Sequence, residues 1–320
     1  MIAPVACVAM ALEGALGWPG RLYDAIGHPV GLFAKAISGC ERKLNRPDWS
    51  DMARRVAGLG AMLGLICTVL AGMGLAVWLV RGSAGAWAWL PLAVLAWPAL
   101  AARSLDDHVS PVLAALEAGD LARARHAVGM IVGRDTAALD EAGVASAAIE
   151  SLAESFCDGV AAPLFWLLVG GVPGAWAYKA INTADSLIGH PEEPLRAYGW
   201  AAARIDDLAN LVPARLAGVL LCLAGGGGWR VMMRDHARHA SPNAGWPEAA
   251  MAGGLGVRLA GPIVYDGVLA SKPWIGEEGR SAGTADLRRA RTIYRRACLL
   301  LWLGALGVEG GVEAGVAWLA

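Results

Sequence analysis

Charge is what this chain has least of. Asp, Glu, Lys and Arg make up 17% of its 320 residues, where an ordinary soluble domain carries about 25%. The deficit is uneven. Val56 to Val80 carries no charged side chain, and neither does Gly82 to Ala102. Each run is long enough for a membrane span, which needs roughly 20 apolar residues. Chemistry that announces itself by motif is also missing. There is no G-x-x-x-x-G-K-[ST], so a P-loop is excluded, and no H-E-x-x-H zinc-protease helix. The six cysteines are scattered singly with no C-x-x-C, which gives no support to zinc ribbons or redox dithiols. No long basic run or zinc-finger spacing occurs, and a net charge of −1 leaves no footprint for nucleic acid. Phenylalanine is nearly absent, with 3 residues against 14 tryptophans. Trp18, Trp78, Trp97, Trp229 and Trp302 fall near the ends of apolar runs, where indole rings anchor at a membrane interface.

What is present predicts an all-α, polytopic integral membrane protein with helical cytoplasmic segments, built as a single domain over residues 1–320. Membrane segments are expected near 2–17, 56–80, 82–102 and 297–320. Arg81 should mark the tip of a hairpin between the second and third. Pro91 and Pro98 are tolerable in a span whose neighbours satisfy the released carbonyls. Lys35, Arg42, Lys43, Arg46, Arg54 and Arg55 crowd the segment before Val56, which the positive-inside rule places in the cytoplasm. A helix is expected there from about Gly31 to Leu44. Two further uncharged runs, 159–178 and 212–229, pose a topology problem. If only the second crossed, the Arg-rich segment 230–296 would lie outside, against the charge rule. Both are therefore expected to dip into the membrane and return, or to pack as short buried hairpins. The first is interrupted by Gly-Gly-Val-Pro-Gly at 170–174, a helix breaker.

The charge that the chain does have is concentrated between Glu150 and Arg215. Residues four apart share a helix face, so Glu150, Glu154 and Asp158 form an acidic stripe that needs a positive partner. Lys179 and Asn182 lie one turn apart, with Asp185 and Ser186 a turn further. In AARIDDLANLVPAR, Arg204 and Asp207 share one face, and Asp206 and Asn210 share another. Pro213 should bend or end that helix, and Arg215 follows. Vicinal aspartates beside an asparagine suit Mg2+, which takes a few hard oxygen ligands and keeps its waters and phosphates. Asp206 and Asp207 are the metal candidates. Lysine and arginine suit phosphate oxygens. Salt bridges between buried helices would explain one or two of these pairs, but not the whole set. A later polar cluster holds His236, His239, Ser241-Pro242-Asn243, Tyr265-Asp266-Gly267 and Lys272-Pro273. The two histidines are three apart, near metal-ligand spacing, with no third ligand implied. Asn243 is expected to cap a helix starting near Trp246 or to contact substrate.

The blocks ESLAESFCDGVAAPLFW, YKAINTADSLIGH, ARIDDLANLVPAR and HASPNAGWPEAAMAGGLGVRLAGP resemble the signature blocks of the CobD/CbiB family. His28 to Val30 and the stretch RDTAALDEAGVASAAIES resemble it too, so the likeness covers essentially the whole chain. Two positions depart from the pattern. Gly17-Trp18-Pro19 stands where the family often has Gly-Asp-Pro, and Ala184 stands where leucine is common.

The resemblance implies an adenosylcobinamide-phosphate synthase of cobalamin biosynthesis. Such an enzyme joins the free propionate carboxyl of adenosylcobyric acid to the amine of (R)-1-aminopropan-2-ol phosphate, or of a related amino alcohol or threonine phosphate. ATP and Mg2+ are the implied cofactors. The implied catalytic set is Glu150, Glu154, Asp158, Lys179 and Asp207. Asn182, Asp185, Arg204, Asn210, Arg215 and Asn243 are the expected substrate and phosphate contacts. The partners are these small molecules and membrane lipid, not nucleic acid, and a homo-oligomer is left open. The active site should face the cytoplasm, where ATP is. Three other classes compete: a transporter, because intramembrane charge is functional by default, a non-catalytic membrane sensor on the same scaffold, and a soluble helical domain, which the hairpin of 56–102 disfavours. The intact Lys179, Asp207 and Asn243 set speaks against the sensor.

Overall fold

The computed structural model is almost wholly helical. It describes residues 4–319 apart from 266, 267 and 271, and for 263–265, 268–270 and 312–319 it describes the backbone only. In chain order the helices are α1 (Val5–Leu16), α2 (Gly20–Ile26), α3 (Val30–Leu44), α4 (Asp51–Ala84), α5 (Trp89–Ala96), α6 (Ala102–Glu117) and α7 (Leu121–Gly129). There follow α8 (Glu141–Phe156), a π turn over Cys157–Ala161, α9 (Ala162–Ile188), α10 (Trp200–Ala209), α11 (Leu211–Gly225), α12 (Trp229–Asp235) and α13 (Gly245–Leu255). Four short strands come next, β1 (Leu259–Ala260), β2 (Ile263–Tyr265), β3 (Val268–Ala270) and β4 (Trp274–Ile275), and the chain closes on α14 (Thr284–Leu319). The strands pair antiparallel as β1 with β4 and β2 with β3. The chain divides into two compact units, one of residues 1–101, 162–210 and 304–320, the other of 102–161 and 211–303.

The first unit is arranged on α4 and α9. Ser50 caps α4, its Oγ accepting the Ala53 N–H at 3.3 Å, which satisfies one of the orphan donors of a helix start. At 1.5 Å per residue α4 is about 51 Å long, more than a bilayer core of about 30 Å requires. Its apolar stretch is almost entirely uncovered by the protein. Ile37, Met62, Tyr178, Ile181, Ile188 and Tyr198 fill the core, and Ala162, Ala184, Ala201 and Ala202 let the helices approach closely. Gly58 is obligatory there, since a Cβ would lie 2.0 Å from the Tyr198 carbonyl oxygen. Arg54 is buried at the foot of α4. It donates to Asn45 Oδ1 at 2.8 Å, to Glu193 at 3.3 Å and to the Pro194 carbonyl. That fixes the connection between α9 and α10.

The second unit packs α6, α8, α11, α13 and the first part of α14. Val112, Val144, Ile149, Leu152, Phe156, Met251 and Tyr294 are among its fully buried side chains. Phe156 meets Tyr294 edge to face at 5.8 Å, and the Tyr294 hydroxyl donates to the Ala102 carbonyl at 2.6 Å. Asp235, wholly buried, is the polar hub. It accepts Arg234 Nε at 2.7 Å and the Gly276 N–H at 2.8 Å, and Arg238 Nε stands 3.2 Å away. The guanidinium groups beside it hold Asp235 below the usual carboxylate range.

Two helical runs are long and apolar enough to cross a membrane, Asp51–Trp87 and Glu141–Ile188. A third counts if Trp200–Ala209 and Leu211–Gly225 form one broken span. Several expected segments come out differently. α4 carries Arg81 inside its last turn, not at a hairpin tip. The run 82–102 does not return as a span, because it is split into a 3-10 turn, the eight-residue α5 and a second 3-10 turn at Trp97–Ala99. Gly85 in a left-handed conformation and Pro98 punctuate it. α1, with 12 residues, rises about 18 Å, too little to cross alone. The segment 297–320 is the second half of α14, which does not pass on length and apolarity within the described residues. Glu309 in it accepts the Ala6 and Cys7 N–H groups at 2.8 and 3.2 Å, capping the start of α1.

The break between α10 and α11 lies at Asn210, three residues ahead of Pro213. A proline clashes with the carbonyl four residues back, here that of Ala209. That carbonyl instead accepts Trp166 Nε1 at 3.1 Å. Likewise Gly171 breaks α9 at φ 62°, two residues before Pro173. α8 starts at Glu141, with Asp140 as its cap accepting the Gly143 N–H at 2.7 Å.

Candidate active site

In the second unit, α8, α13 and the loop before α13 enclose a cavity of about 230 Å³. Its polar lining is Arg134, Glu150, Ser151, Glu154, His239, Glu248 and Lys272. Glu150 and Glu154 come from successive turns of α8, as their spacing requires. Glu248 projects from α13, an otherwise apolar helix, and is only 4% exposed. Burial, then the carboxylates of Glu154 and Glu150, push Glu248 well above the usual carboxylate range, with Lys272 and Arg134 opposing. His239 Nε2 lies 3.6 Å from Glu248 Oε1. His239 Nδ1 accepts the Ser241 N–H at 3.0 Å, so in the neutral ring the proton sits on Nε2, facing Glu248. Burial, then Lys272, lowers the affinity of His239 for a second proton. The pair is therefore a carboxyl group of raised proton affinity beside an imidazole of lowered proton affinity.

Glu150 is committed. One oxygen accepts Ser146 Oγ at 2.7 Å and the Ala260 N–H at 3.0 Å, the other Arg134 Nη2 at 3.1 Å. Arg134 is held in turn by a pinned loop, in which Arg125 Nε donates to the Leu139 carbonyl at 2.6 Å and Thr136 Oγ1 to the Arg125 carbonyl at 3.0 Å. Glu154 is exposed on the same face. Asp158 falls in the π turn and does not line the cavity. A π turn adds a residue to the repeat, so the expected acidic stripe ends after two members.

Arg215 and Asn243 meet as well. Arg215 Nη1 donates to Asn243 Oδ1 at 2.9 Å, and its guanidinium lies 4.9 Å over Trp246. His236 stacks on the same indole at 3.9 Å. The two histidines spaced like metal ligands thus face different partners. Asn243 is not a cap by its side chain; Ser241 Oγ accepts the Asn243 and Ala244 N–H groups at 3.2 and 3.3 Å. Tyr265 and its neighbours, expected to contribute from a loop, have side chains outside the described residues.

The first unit holds the rest of the predicted set. Arg204 Nη1 donates to Asp207 Oδ2 at 3.0 Å, and Asp185 on α9 lies within electrostatic reach of both. Asp206 belongs to a different, buried network, in which Asn210 Nδ2 donates to Asp206 Oδ2 at 2.9 Å and Tyr178 Oη to Asn210 Oδ1 at 2.9 Å. The vicinal aspartates therefore serve separate networks. Among the described residues no group of three or more His, Cys, Asp or Glu is arranged to hold a metal ion. Lys179 and Asn182 are half-buried on α9, and the Lys179 charge helps lower the proton affinity of His28 after burial has done so. Ser186 is exposed there, its Oγ donating to the Asn182 carbonyl at 2.9 Å.

Sequence reasoning did not single out Glu248, Arg134 or the His239–Glu248 pairing. Glu248 carries a legible signal, being the one acid in an apolar helix, where a buried charge requires partners. Ser281 sits in a Gly279-Arg280-Ser281-Ala282-Gly283 run, the G-x-S-x-G spacing of a nucleophile elbow. That spacing means a nucleophile only at a strand-to-helix turn. Here the serine lies in irregular chain before α14, and its hydroxyl accepts Arg258 Nη2 at 3.1 Å.

The chain is a helical protein with two or three segments long and apolar enough to cross a membrane and with a buried carboxyl–imidazole pocket of small-ligand size. The CobD/Cbib protein family matches residues 6–294, and the chain belongs to that family. A cobalamin biosynthesis protein CobD from Rhodobacter capsulatus is 49% identical over 312 residues, covering 96% of this chain and 98% of that protein. One from Sinorhizobium is 44% identical over 308 residues, covering 93% and 95%. One from Brucella anthropi is 45% identical over 291 residues, covering 87% and 88%. No solved structure matches the chain.

Proposed function

We propose that this protein is an ATP-dependent amide-forming ligase of cobalamin biosynthesis. It couples the free propionate carboxyl of adenosylcobyric acid to the amine of 1-aminopropan-2-ol phosphate or a close relative, giving adenosylcobinamide phosphate. Family membership and relatives bearing the CobD name support the pathway. The single observation that carries the chemistry is the Glu248–His239 pair in an acidic cavity. An amine attacks only after losing a proton. A carboxylate with raised proton affinity, within reach of a small ammonium ion, is suited to take it. Glu248 is the proposed base, Glu154 attracts the ammonium, and Glu150 positions Arg134 and the Ala260 backbone.

A carboxylate is no electrophile at neutral pH, so the propionate needs activation, which bound ATP would supply by phosphoryl transfer. The residues of the first unit fit a magnesium nucleotide. Mg2+ takes one or two carboxylates and leaves its other positions to water and phosphate, so the lack of a three-ligand cluster is no obstacle. Asp207 and Asp185 would hold it, and Arg204 and Lys179 would hold phosphate oxygens. Asp206, in its buried network with Asn210 and Tyr178, would shape the helix that presents Asp207. Arg215 and Asn243 would contact substrate in the second unit. The reading also includes a multi-pass placement in the cell membrane with the site open to the cytoplasm.

Purified protein incubated with adenosylcobyric acid, ATP, Mg2+ and each candidate amine phosphate should release phosphate in a corrinoid-dependent manner. No corrinoid-dependent turnover with any of them overturns the reading.

A further inference from the structure

We infer that a second cavity, adjoining the acidic one, is an anion seat in which Arg258 and Ser281 receive the phosphate group of the small amine substrate. The inference rests on the proposed ligase reading and assigns one end of its substrate.

The geometry begins with the strand pair. In β1 and β4, Leu259 lies opposite Ile275 and Ala260 opposite Trp274. Leu259 and Ile275 are both fully buried. Side chains alternate along a strand, so Arg258 and Trp274 share the other face as diagonal neighbours. The Arg258 guanidinium accordingly lies 4.6 Å over the Trp274 ring. The indole is fixed from beneath by Gly261, at φ 85°, where a Cβ would fall 2.6 Å from the ring atoms. A guanidinium held flat on an indole keeps its charge and its outward N–H groups in a set orientation.

The cavity that this pair lines measures about 370 Å³ and includes Ser281, Arg134 and the start of α8. Its carboxylates are engaged elsewhere. Asp135 Oδ1 accepts the Ala137 N–H at 2.8 Å, Asp140 Oδ1 the Gly143 N–H at 2.7 Å, and Glu150 takes Arg134. Arg258 donates from Nη2 to Ser281 Oγ at 3.1 Å, and among the described residues no carboxylate pairs with it. Its Nε is shut off from solvent without a hydrogen-bond partner. An arginine stacked on an indole and bonded to a hydroxyl has no counter-charge among the described residues. Because Ser281 accepts from Arg258, its own O–H remains able to donate to one.

The size and the neighbourhood select the ligand. A cavity of about 370 Å³ holds a small phosphate ester, not a corrin ring. It shares Arg134, Glu150 and Ala260 with the acidic cavity. A phosphate on Arg258 therefore points the other end of a short amino alcohol toward Glu154 and Glu248, which suits a zwitterion.

The test is binding without turnover, by calorimetry on the full-length protein in detergent. The probes are 1-aminopropan-2-ol phosphate, unphosphorylated 1-aminopropan-2-ol, inorganic phosphate and ATP. Wild type should bind the phosphorylated amine at least tenfold more tightly than the bare amine, and inorganic phosphate should compete with it. R258Q should weaken the phosphorylated amine 10- to 100-fold and leave ATP unchanged. S281A should weaken it severalfold, and R258K should fall between wild type and R258Q. In turnover the loss should appear in KM for the amine phosphate, with kcat within a fewfold. Unchanged affinity in R258Q overturns the inference. So does an equal loss for ATP, which would make the seat the nucleotide's, or an equal loss for the bare amine, which would make Arg258 structural. If R258Q does not fold, R258K and S281A decide by the same criteria. Absence of turnover with every amine would sink the ligase reading and leave these binding results standing.

Discussion

Replacing Glu248 by glutamine should stabilise the protein and inactivate it together. Glu248 is buried beside Glu154 and Glu150, and its proton affinity is raised well above the ordinary glutamate value of 4.5. Between pH 4.5 and that raised value the native state holds a proton that the unfolded chain has released. Native stability must then fall as pH rises through that window, by up to about 1.4 kcal/mol per pH unit for one proton, and level off above it. Glutamine has nearly the same shape and can stand beside His239 Nε2 as glutamate does, but it has no proton to lose. The variant should match wild type below pH 4.5 and pull ahead as pH rises. Each unit of the window is worth roughly 2–5 °C in melting temperature for a protein of this size. Activity should drop by about 10²–10⁴, the usual contribution of a general base, and the acid limb of the wild-type rate profile should lie above the usual carboxylate range. The assay is thermal unfolding in detergent followed by circular dichroism across a pH series, alongside corrinoid turnover. A variant that is less stable than wild type throughout, or parallel to it from pH 4.5 upward, refutes the electrostatic argument. Full activity refutes the role as base.

Three further outcomes follow from other parts of the molecule. Asp207→Asn and Lys179→Ala should each lower turnover by at least about tenfold with little change in melting temperature, since neither is a core residue; full activity in either removes that residue from the site. Asp235→Ala should destabilise by about 1–3 kcal/mol, because it leaves the buried Gly276 N–H without its acceptor, while Arg234 and Arg238 keep Glu278 and Glu277. Asp235 is held below the ordinary value of 3.8, so its contribution is present above that pH and is lost as pH falls through the lower folded value. Acid unfolding of the variant should lose that part of its pH dependence, and an unchanged acid limb would contradict the hub. Gly58→Ala should cost at least about 1–3 kcal/mol by overpacking against the Tyr198 carbonyl. A melting temperature equal to wild type would show that α4 can shift to make room.

Local spacing was reliable. Arg204 meets Asp207, and Asp206 meets Asn210, as three- and four-residue spacings on one helix dictate. Glu150 and Glu154 share a face for the same reason. The stripe failed at Asp158, because a π turn is a departure from the very repeat on which the spacing argument depends. The run 82–102 had the composition of a span but not the continuity, since its glycine and prolines act on the backbone, which hydropathy does not register.

The sequence by itself determined the helical class, the membrane-length apolar helix 51–84, the family and the residues that carry charge. Each of these depends on composition or on neighbours a few residues apart. Only the tertiary structure decided which of the charged residues act together. Glu150 became a strut because Arg134, Ser146 and Ala260 converge on it. Glu248 gained its raised proton affinity because burial and two carboxylates from another helix surround it. Arg258 gained its indole through a strand pairing with a partner 16 residues away. Proton affinity and anion affinity are set by desolvation and by charges brought close in space, and neither quantity is written in local order along the chain.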